Sequence, residues 1–335
     1  MKILIVRFSS IGDIVLTSTT VRCVKQQTKA EVHFLTKARF RAVVEHNPYI
    51  DRVWTMEKDL KEVVKDLKAE RFDLVLDLHN NLRCWVLSWH LRKSKFYRFS
   101  KLNTQKWLLT RWKINRLPDI HIVDRYLATA SSLGVKNDGQ GLDYFPGEAT
   151  ADFIEAGQAW HSQPYLAFVI GAAHATKCLT EEQMIDFCRA FQQPILLLGG
   201  PAEKEQGERI ATAAGHHVHS TCGQFTLHES AMLVRDAAAV LTHDTGLMHI
   251  AAAFDKPIIS VWGNTVADFG MYPYLPRQKK EERERRIAVT GLSCRPCSKI
   301  GFSACPQGHF RCIRDIQITD IMAKTTAILA DNQGS

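Results

Sequence analysis

The stretch Val240-Leu-Thr-His-Asp-Thr-Gly-Leu-Met-His-Ile-Ala-Ala-Ala-Phe-Asp-Lys-Pro-Ile-Ile-Ser-Val-Trp-Gly263 decides the fold. A short apolar run ends at His243 and Asp244, a helix of small residues begins around Thr245–Gly246, and after a break at Asp255-Lys-Pro257 a second β-rich run covers Ile258 to Trp262. Strand, tight turn, helix and strand make the βαβ unit of a parallel sheet. The turn carries usable chemistry. Gly246 admits a ligand to the backbone, and the first N–H groups of a helix have no internal partners and favour a phosphate. Asp244 and His249 flank that position, either as ligand contacts or as a cap and a packed ring.

Working outward, the same alternation fills the chain. In the second half, apolar runs at Tyr165–Ile170, Pro194–Leu198, His217–Ser220 and Ala239–Thr242 predict parallel strands. Two of these end in loops with candidate ligand groups. Gly171-Ala-Ala-His-Ala-Thr-Lys177 offers Lys177 to a phosphate, and Gly199-Gly-Pro-Ala-Glu203 offers Glu203 to a ribose diol. In the first half, Lys2 to Arg7 predicts a buried strand, Phe8 to Asp13 the loop after it, and Ile14 to Lys25 a helix. Further strands are expected at Glu31–Thr36, Arg52–Thr55 and Phe72–Leu78, with helices at Phe40–His46, Leu60–Lys68 and His121–Leu133, the last stopped by Gly134. Only Gly12 stands in the first turn, so the three-glycine dinucleotide fingerprint is absent. Asp13 sits where doubly wound sheets hold their ligands, unless it merely caps its helix. The fold class is therefore α/β, with two successive Rossmann-like domains and a cleft between them. The expected boundaries are 1–150 for the first domain and 151–314 for the second, with a helix at Ala151–His161 in the linker region. Residues 315–335 form a closing helix that crosses back to the first domain.

Composition narrows the partners. The chain of 335 residues is 45% hydrophobic, enough for two cores, and 43 Lys and Arg against 35 Asp and Glu give a formal charge of +8. That charge favours anionic partners. No apolar run is long enough to span a bilayer and the start does not read as a signal peptide, which predicts a cytoplasmic protein. The region Arg83–Arg125 concentrates the basic side chains, among them Arg92, Lys93, Lys95 and Arg98, interleaved with Trp85, Trp89, Phe96, Tyr97, Trp107 and Trp112. Such mixing suits nucleic acid, an anionic lipid surface or an acidic glycan, or else a solvated basic face with aromatics packed beneath it. No nucleic-acid motif accompanies it. Lys279–Arg286 is a charge run that reads as a solvated helix or loop. Of nine cysteines, Cys294-x-x-Cys297 with Cys305 and Cys312 has metal-ligand character and makes a candidate structural zinc site; Cys23, Cys84, Cys178, Cys188 and Cys222 read as isolated and packed.

Three segments, Ile3-Leu-Ile-Val-Arg-Phe-Ser-Ser-Ile-Gly-Asp-Ile14, Ala175-Thr-Lys-Cys-Leu179 and Asp244-Thr-Gly-Leu-Met-His-Ile-Ala-Ala-Ala253, resemble glycosyltransferase family 9, the ADP-heptose–lipopolysaccharide heptosyltransferases. The resemblance implies a GT-B fold and inverting transfer of heptose from ADP-heptose to a Kdo or heptose sugar of the lipopolysaccharide inner core, with no metal required for catalysis. It implies Asp13 as the general base, Lys177 and the Thr245–Gly246 backbone on the diphosphate, Glu203 on the nucleotide and Asp244 on the donor sugar. The basic region, with Arg92, Lys93, Lys95 and Arg98, would face an anionic acceptor at the cytoplasmic face of the inner membrane, where the protein would sit peripherally. Cys178-Leu179-Thr180 after Lys177 departs from the aromatic or basic residue and proline frequent in the family. Absence of an Asp-x-Asp pair from the cleft-facing loops agrees with metal independence. The rival readings are a catalytically idle nucleotide-sugar-binding protein and a transferase of the same fold using another nucleotide sugar.

Overall fold

The computed structural model describes residues 1–151, 153, 163–276 and 280–333. The chain divides into two compact units, Met1–Leu102 with Asp119–Phe145 and Asn103–Pro118 with Pro146–Ser335. Where a boundary at 150 was expected, the units change over between Phe145 and Pro146, and residues 103–118 group with the second unit. The helix expected at Ala151–His161 lies almost wholly outside the described residues.

The first unit is built on a parallel sheet in the order β3-β2-β1-β4-β5, with β1 Lys2–Val6, β2 Glu31–Lys37, β3 Arg52–Met56, β4 Leu74–Asp77 and β5 Lys95–Arg98. Ile3, Leu4, Ile5 and Val6 are all at 0% exposure, as expected for a central parallel strand covered on both faces. Register aligns the strand ends: Val6 stands opposite Leu35 and Asp77, and Asp77 opposite Arg98. The helix expected over Ile14–Lys25 is two helices, Ile11–Val15 and Ser18–Thr28.

The second unit has the order β11-β10-β9-β6-β7-β8, again all parallel: β6 Leu166–Val169, β7 Ile195–Leu198, β8 Val218–Ser220, β9 Ala239–His243, β10 Ile258–Val261 and β11 Glu284–Ile287. The stretch quoted first is β9, the helix Gly246–Ala253 and β10. The charge run that was expected to be solvated contains β11, paired with β10. The closing helix Ile318–Gln333 packs on β9, β10, β11 and the helix Glu181–Ala190 within the second unit. Its Ile321 and Ile328 are buried in the second core, so burial of that apolar face fixes the helix where it is. Among the described residues, no helix is long and apolar enough to cross a membrane.

Candidate functional site

In the first unit, Arg7 leaves the carboxyl end of β1 and points back under the loop. Its Nε donates to Ser9 O at 2.7 Å, its Nη1 to Leu78 O at 2.7 Å, and its Nη2 lies 2.7 Å from Asp13 Oδ1. Asp13 is the third residue of the helix Ile11–Val15, and its Oδ2 accepts from Ser10 N at 3.2 Å and from Ser10 Oγ at 2.9 Å. The carboxylate therefore does cap its helix. Burial works against its charge but is outweighed by the Arg7 guanidinium and the two Ser10 donors, which hold it below the usual carboxylate range. Its side chain keeps 19% exposure, against 9% for Arg7. His79, edge-on to Phe8, is pushed down to about 3 by burial and by the charges of Arg7 and Lys101, so its ring is neutral.

In the second unit, the loops after β6, β7, β9 and β10 meet at the carboxyl edge of the sheet. Lys177, in the turn Ala175–Lys177, places Nζ 2.7 Å from Asp244 Oδ2 and 3.3 Å from Asp244 O. Thr265 Oγ1 donates to the same Oδ2 at 3.1 Å. Thr245 caps the helix Gly246–Ala253 by accepting from Leu247 N at 3.2 Å. Glu203 Oε2 accepts from Gly200 N at 2.8 Å. A Cβ added to Gly171 would stand 2.7 Å from Glu203 Cδ, so that glycine is what lets the two loops close up. His249 is only 2% exposed and belongs to the packed side of its helix, which supports the turn and turns no ring to solvent. His243 is fully buried, accepts from Leu179 N at 3.0 Å through Nε2, and burial lowers it to about 4.

Sequence reading missed three partners of these groups: Arg7, Thr265 and Arg295. An arginine following a first strand was a usable signal for Arg7, whereas Thr265 and Arg295 meet the site only through tertiary contacts. Arg295 gives its guanidinium to backbone carbonyls alone: Gly263 O at 2.7 Å, Thr265 O at 2.9 Å, Val289 O at 3.0 Å and Trp262 O at 3.4 Å. It thereby fixes the loop after β10, from which Thr265 reaches Asp244.

The four basic residues expected at the acceptor part company. Arg98, at the carboxyl end of β5, lies 3.3 Å from buried Asp77 and over the Trp85 ring at 4.1 Å. Lys95 opposes Leu74 at the other end of the same strand pair, and Arg92 and Lys93 precede it. All three stand at the amino edge of the parallel sheet, away from Asp13, because composition does not say at which end of a strand a charge falls. Residues 103–118 serve the second unit instead. Leu109 packs with Val266 and Phe269, Lys113 Nζ donates to Cys294 O at 3.0 Å and Pro296 O at 2.7 Å, and Asn115 Nδ2 to Asp268 Oδ1 at 2.9 Å.

Cys294, Cys297, Cys305 and Cys312 carry free thiols and line one small cavity with His309, whose Nε2 is 3.7 Å from Cys294 Sγ. The donor set suits a soft divalent ion. Among the described residues, however, no three ligand atoms of this cluster lie within 4.8 Å of one another, so the loop must contract to ligate one. Cys23, Cys84, Cys188 and Cys222 are buried and Cys178 is partly so.

Comparison with known proteins fits this geometry. The chain is 21% identical to lipopolysaccharide heptosyltransferase 2 of Salmonella typhimurium over 99% of both chains. It superposes on a family 9 glycosyltransferase of Veillonella parvula with a TM-score of 0.78 at 18% identity, covering 98% of this chain and 97% of that one. For E. coli ADP-heptose lps heptosyltransferase II the TM-score is 0.73 at 18% identity, covering 99% and 100%. These likenesses establish the GT-B fold. The family model of glycosyltransferase family 9 (heptosyltransferase) matches residues 60–290, and the chain belongs to that family of enzymes.

Proposed function

We propose that this heptosyltransferase takes ADP-heptose as donor and transfers heptose, with inversion, to a Kdo or heptose sugar of the lipopolysaccharide inner core, with Asp13 as general base. The observation that carries the proposal is the ionised, part-exposed Asp13 carboxylate at the carboxyl edge of β1. A sugar hydroxyl is too weakly acidic to ionise at neutral pH. Its oxygen attacks the anomeric carbon while the bond to the ADP oxygen breaks, and its proton passes to Asp13 as attack proceeds. Strong basicity is not needed, because positioning supplies much of the rate. ADP leaves with the bonding electrons. Lys177 and the N-terminus of the helix Gly246–Ala253 stabilise the growing diphosphate charge, and in this reading no metal takes part in the chemistry. Asp244, whose Oδ2 serves Lys177 and Thr265, binds the donor sugar through its other oxygen, and Glu203 binds the nucleotide. The four cysteines would hold a structural zinc ion that tightens the loop from Cys294 to Cys312 without entering the reaction. The protein acts at the cytoplasmic face of the inner membrane.

The test is acceptor-dependent release of ADP from ADP-heptose. Tight donor binding with no release would make the chain an idle nucleotide-sugar-binding protein, and release from a UDP- or GDP-sugar in preference would reassign the donor. Metal analysis of the purified protein, finding about one equivalent or none, decides the cysteine cluster separately.

A further inference from the structure

The helix Leu82–His90 is apolar on both sides. Its inner side buries Cys84 and Leu87, continued by Leu91 just past its end. Its outer side presents Leu82 at 79%, Trp85 at 56%, Val86 at 44% and Trp89 at 71% exposure. The spacing i, i+3, i+4, i+7 makes these four one continuous face about 10 Å long. A helix at a water-facing surface carries polar residues there, so this face is built to be covered. The reading of aromatics packed beneath a solvated basic surface is thus overturned at Trp85 and Trp89.

At the Trp89 end of that face opens a cavity of about 1130 Å³ in the first unit. Lys68, Arg71, Arg92, Lys93 and Lys95 line it, with Asp73 the one acidic residue of its lining. Among the described residues none of these five cations forms an ion pair, whereas Lys2, Arg7, Arg22, Lys25 and Arg52 of the same unit are all paired. Five cations without ion-pair partners thus stand together beside the exposed apolar face.

We infer that this face docks the protein on an anionic phospholipid bilayer. The exposed parts of Trp85, whose ring carries Arg98 on one face, and of Trp89, with Leu82 and Val86, enter the interfacial layer, and the basic cavity receives lipid phosphates. Charge complementarity selects this occupant. A second copy seated face to face would bring five cations against five, and a single-stranded nucleic acid would stack on the tryptophans but has no use for Leu82 and Val86. The inference names the surface for the membrane association proposed above and rests on that reading for the identity of the membrane. It is tested without donor or acceptor, so it fails or stands apart from the transferase chemistry.

The experiment is flotation of the full-length protein with phosphatidylcholine vesicles, with and without phosphatidylglycerol, with tryptophan quenching by brominated lipid in parallel. Binding that requires phosphatidylglycerol and is quenched is the expected result. Trp85→Ser with Trp89→Ser should abolish most quenching and weaken partitioning at least tenfold. Lys93→Glu with Lys95→Glu should weaken it by more than about fivefold per site, since each neutralised charge is worth about that factor near an anionic surface. Unchanged ADP binding and sedimentation in the variants certify the fold, and the lysine pair keeps the test open should the tryptophan pair fold poorly. Equal binding to both vesicle types, unaltered quenching in the tryptophan variant, a shift of the wild-type protein from dimer to monomer in that variant, or preference for an RNA oligonucleotide over vesicles would each overturn the proposal.

Discussion

The turns after β1 and β9 each set an aspartate against a cation, and the two pairs are built in opposite ways. In the first unit the cation is the scaffold. Arg7 spends its guanidinium on Ser9 O, Leu78 O and Asp13, and a rigid fork so committed cannot move to a ligand. What remains available is the carboxylate. In the second unit Lys177 is a point charge on a flexible stem, tied only to Asp244 Oδ2 and, at 3.3 Å, Asp244 O. In the proposed function the cation is here the part that exchanges, from aspartate to an arriving diphosphate. On that proposal the same pair of charges makes a fixed anion in one unit and a transferable cation in the other.

The sharpest way to break this contrast is Asp13→Asn. The amide keeps the size, but its single oxygen cannot accept from both Ser10 and Arg7, and loss of the charge beside the Arg7 guanidinium should lower stability by about 3 kcal/mol, which a urea titration reads separately from turnover. Turnover should fall about a hundredfold or more, with donor affinity nearly unchanged. Steady-state rates and ADP-heptose titrations read both. Substantial retained turnover would reduce Asp13 to its cap and send the search for the base elsewhere. In the wild-type enzyme, Arg7 keeps Asp13 ionised well below neutrality, so no acid limb from this residue should appear between pH 6 and 8.

On the other side, Lys177→Ala should remove one charge-assisted contact, about 1.5–3 kcal/mol. The expected readout is a rise of about tenfold or more in the apparent Michaelis constant for ADP-heptose. Unchanged donor use would mean that Lys177 belongs to Asp244 permanently, as Arg7 belongs to Asp13, and the contrast would vanish.

How much of this was legible in the sequence follows from the same physics. Buried central strands such as Ile3–Val6, Ile195–Leu198 and Val240–Thr242 announce themselves as apolar runs, and Asp13, Lys177 and Asp244 are visible because they directly follow such strands. The edge strands β5 and β11 are not legible. Lys95-Phe-Tyr-Arg98 and Glu284-Arg-Arg-Ile287 are only partly buried, and edges carry charge that discourages further pairing, so they read as basic surface and charge run. Residues 103–118 could not be assigned to the second unit from sequence, because Leu109 and Lys113 find their partners more than 150 positions away.

Each unit also holds a neutral histidine, half-buried His79 and fully buried His243, and acid should expose both. His79 and His243 are lowered from 6.5 to about 3 and about 4. The unfolded chain therefore binds protons first as pH falls below 6.5, and stability present above that value is lost on the way down to each folded value. By pH 5 the loss is about 2 kcal/mol for each ring. Urea midpoints at pH 7 and 5 should show it, and His243→Gln should flatten the second unit's share alone. A midpoint indifferent to pH over this range would mean that the rings are hydrated in the folded protein.

The smallest expected effect tests whether the second turn owes its shape to the cysteine loop. Arg295→Lys keeps the charge but replaces a fork bonded to four carbonyls with a point donor able to serve one or two. The loss should be about 1–2 kcal/mol, a few degrees in melting temperature. Because Arg295 holds the loop from which Thr265 reaches Asp244, the damage should also travel to the donor. The Michaelis constant for ADP-heptose should rise two- to fivefold, on the order of 0.4–1 kcal/mol, with turnover nearly unchanged. A fall in melting temperature without any change in donor use would confine Arg295 to stability. Lost turnover at constant donor affinity would place its influence on the reacting atoms. Only the coupled result ties the cysteine loop, through backbone carbonyls, to the transferable cation of the second unit, and the first unit, with Arg7 already inside its own turn, has no counterpart to lose.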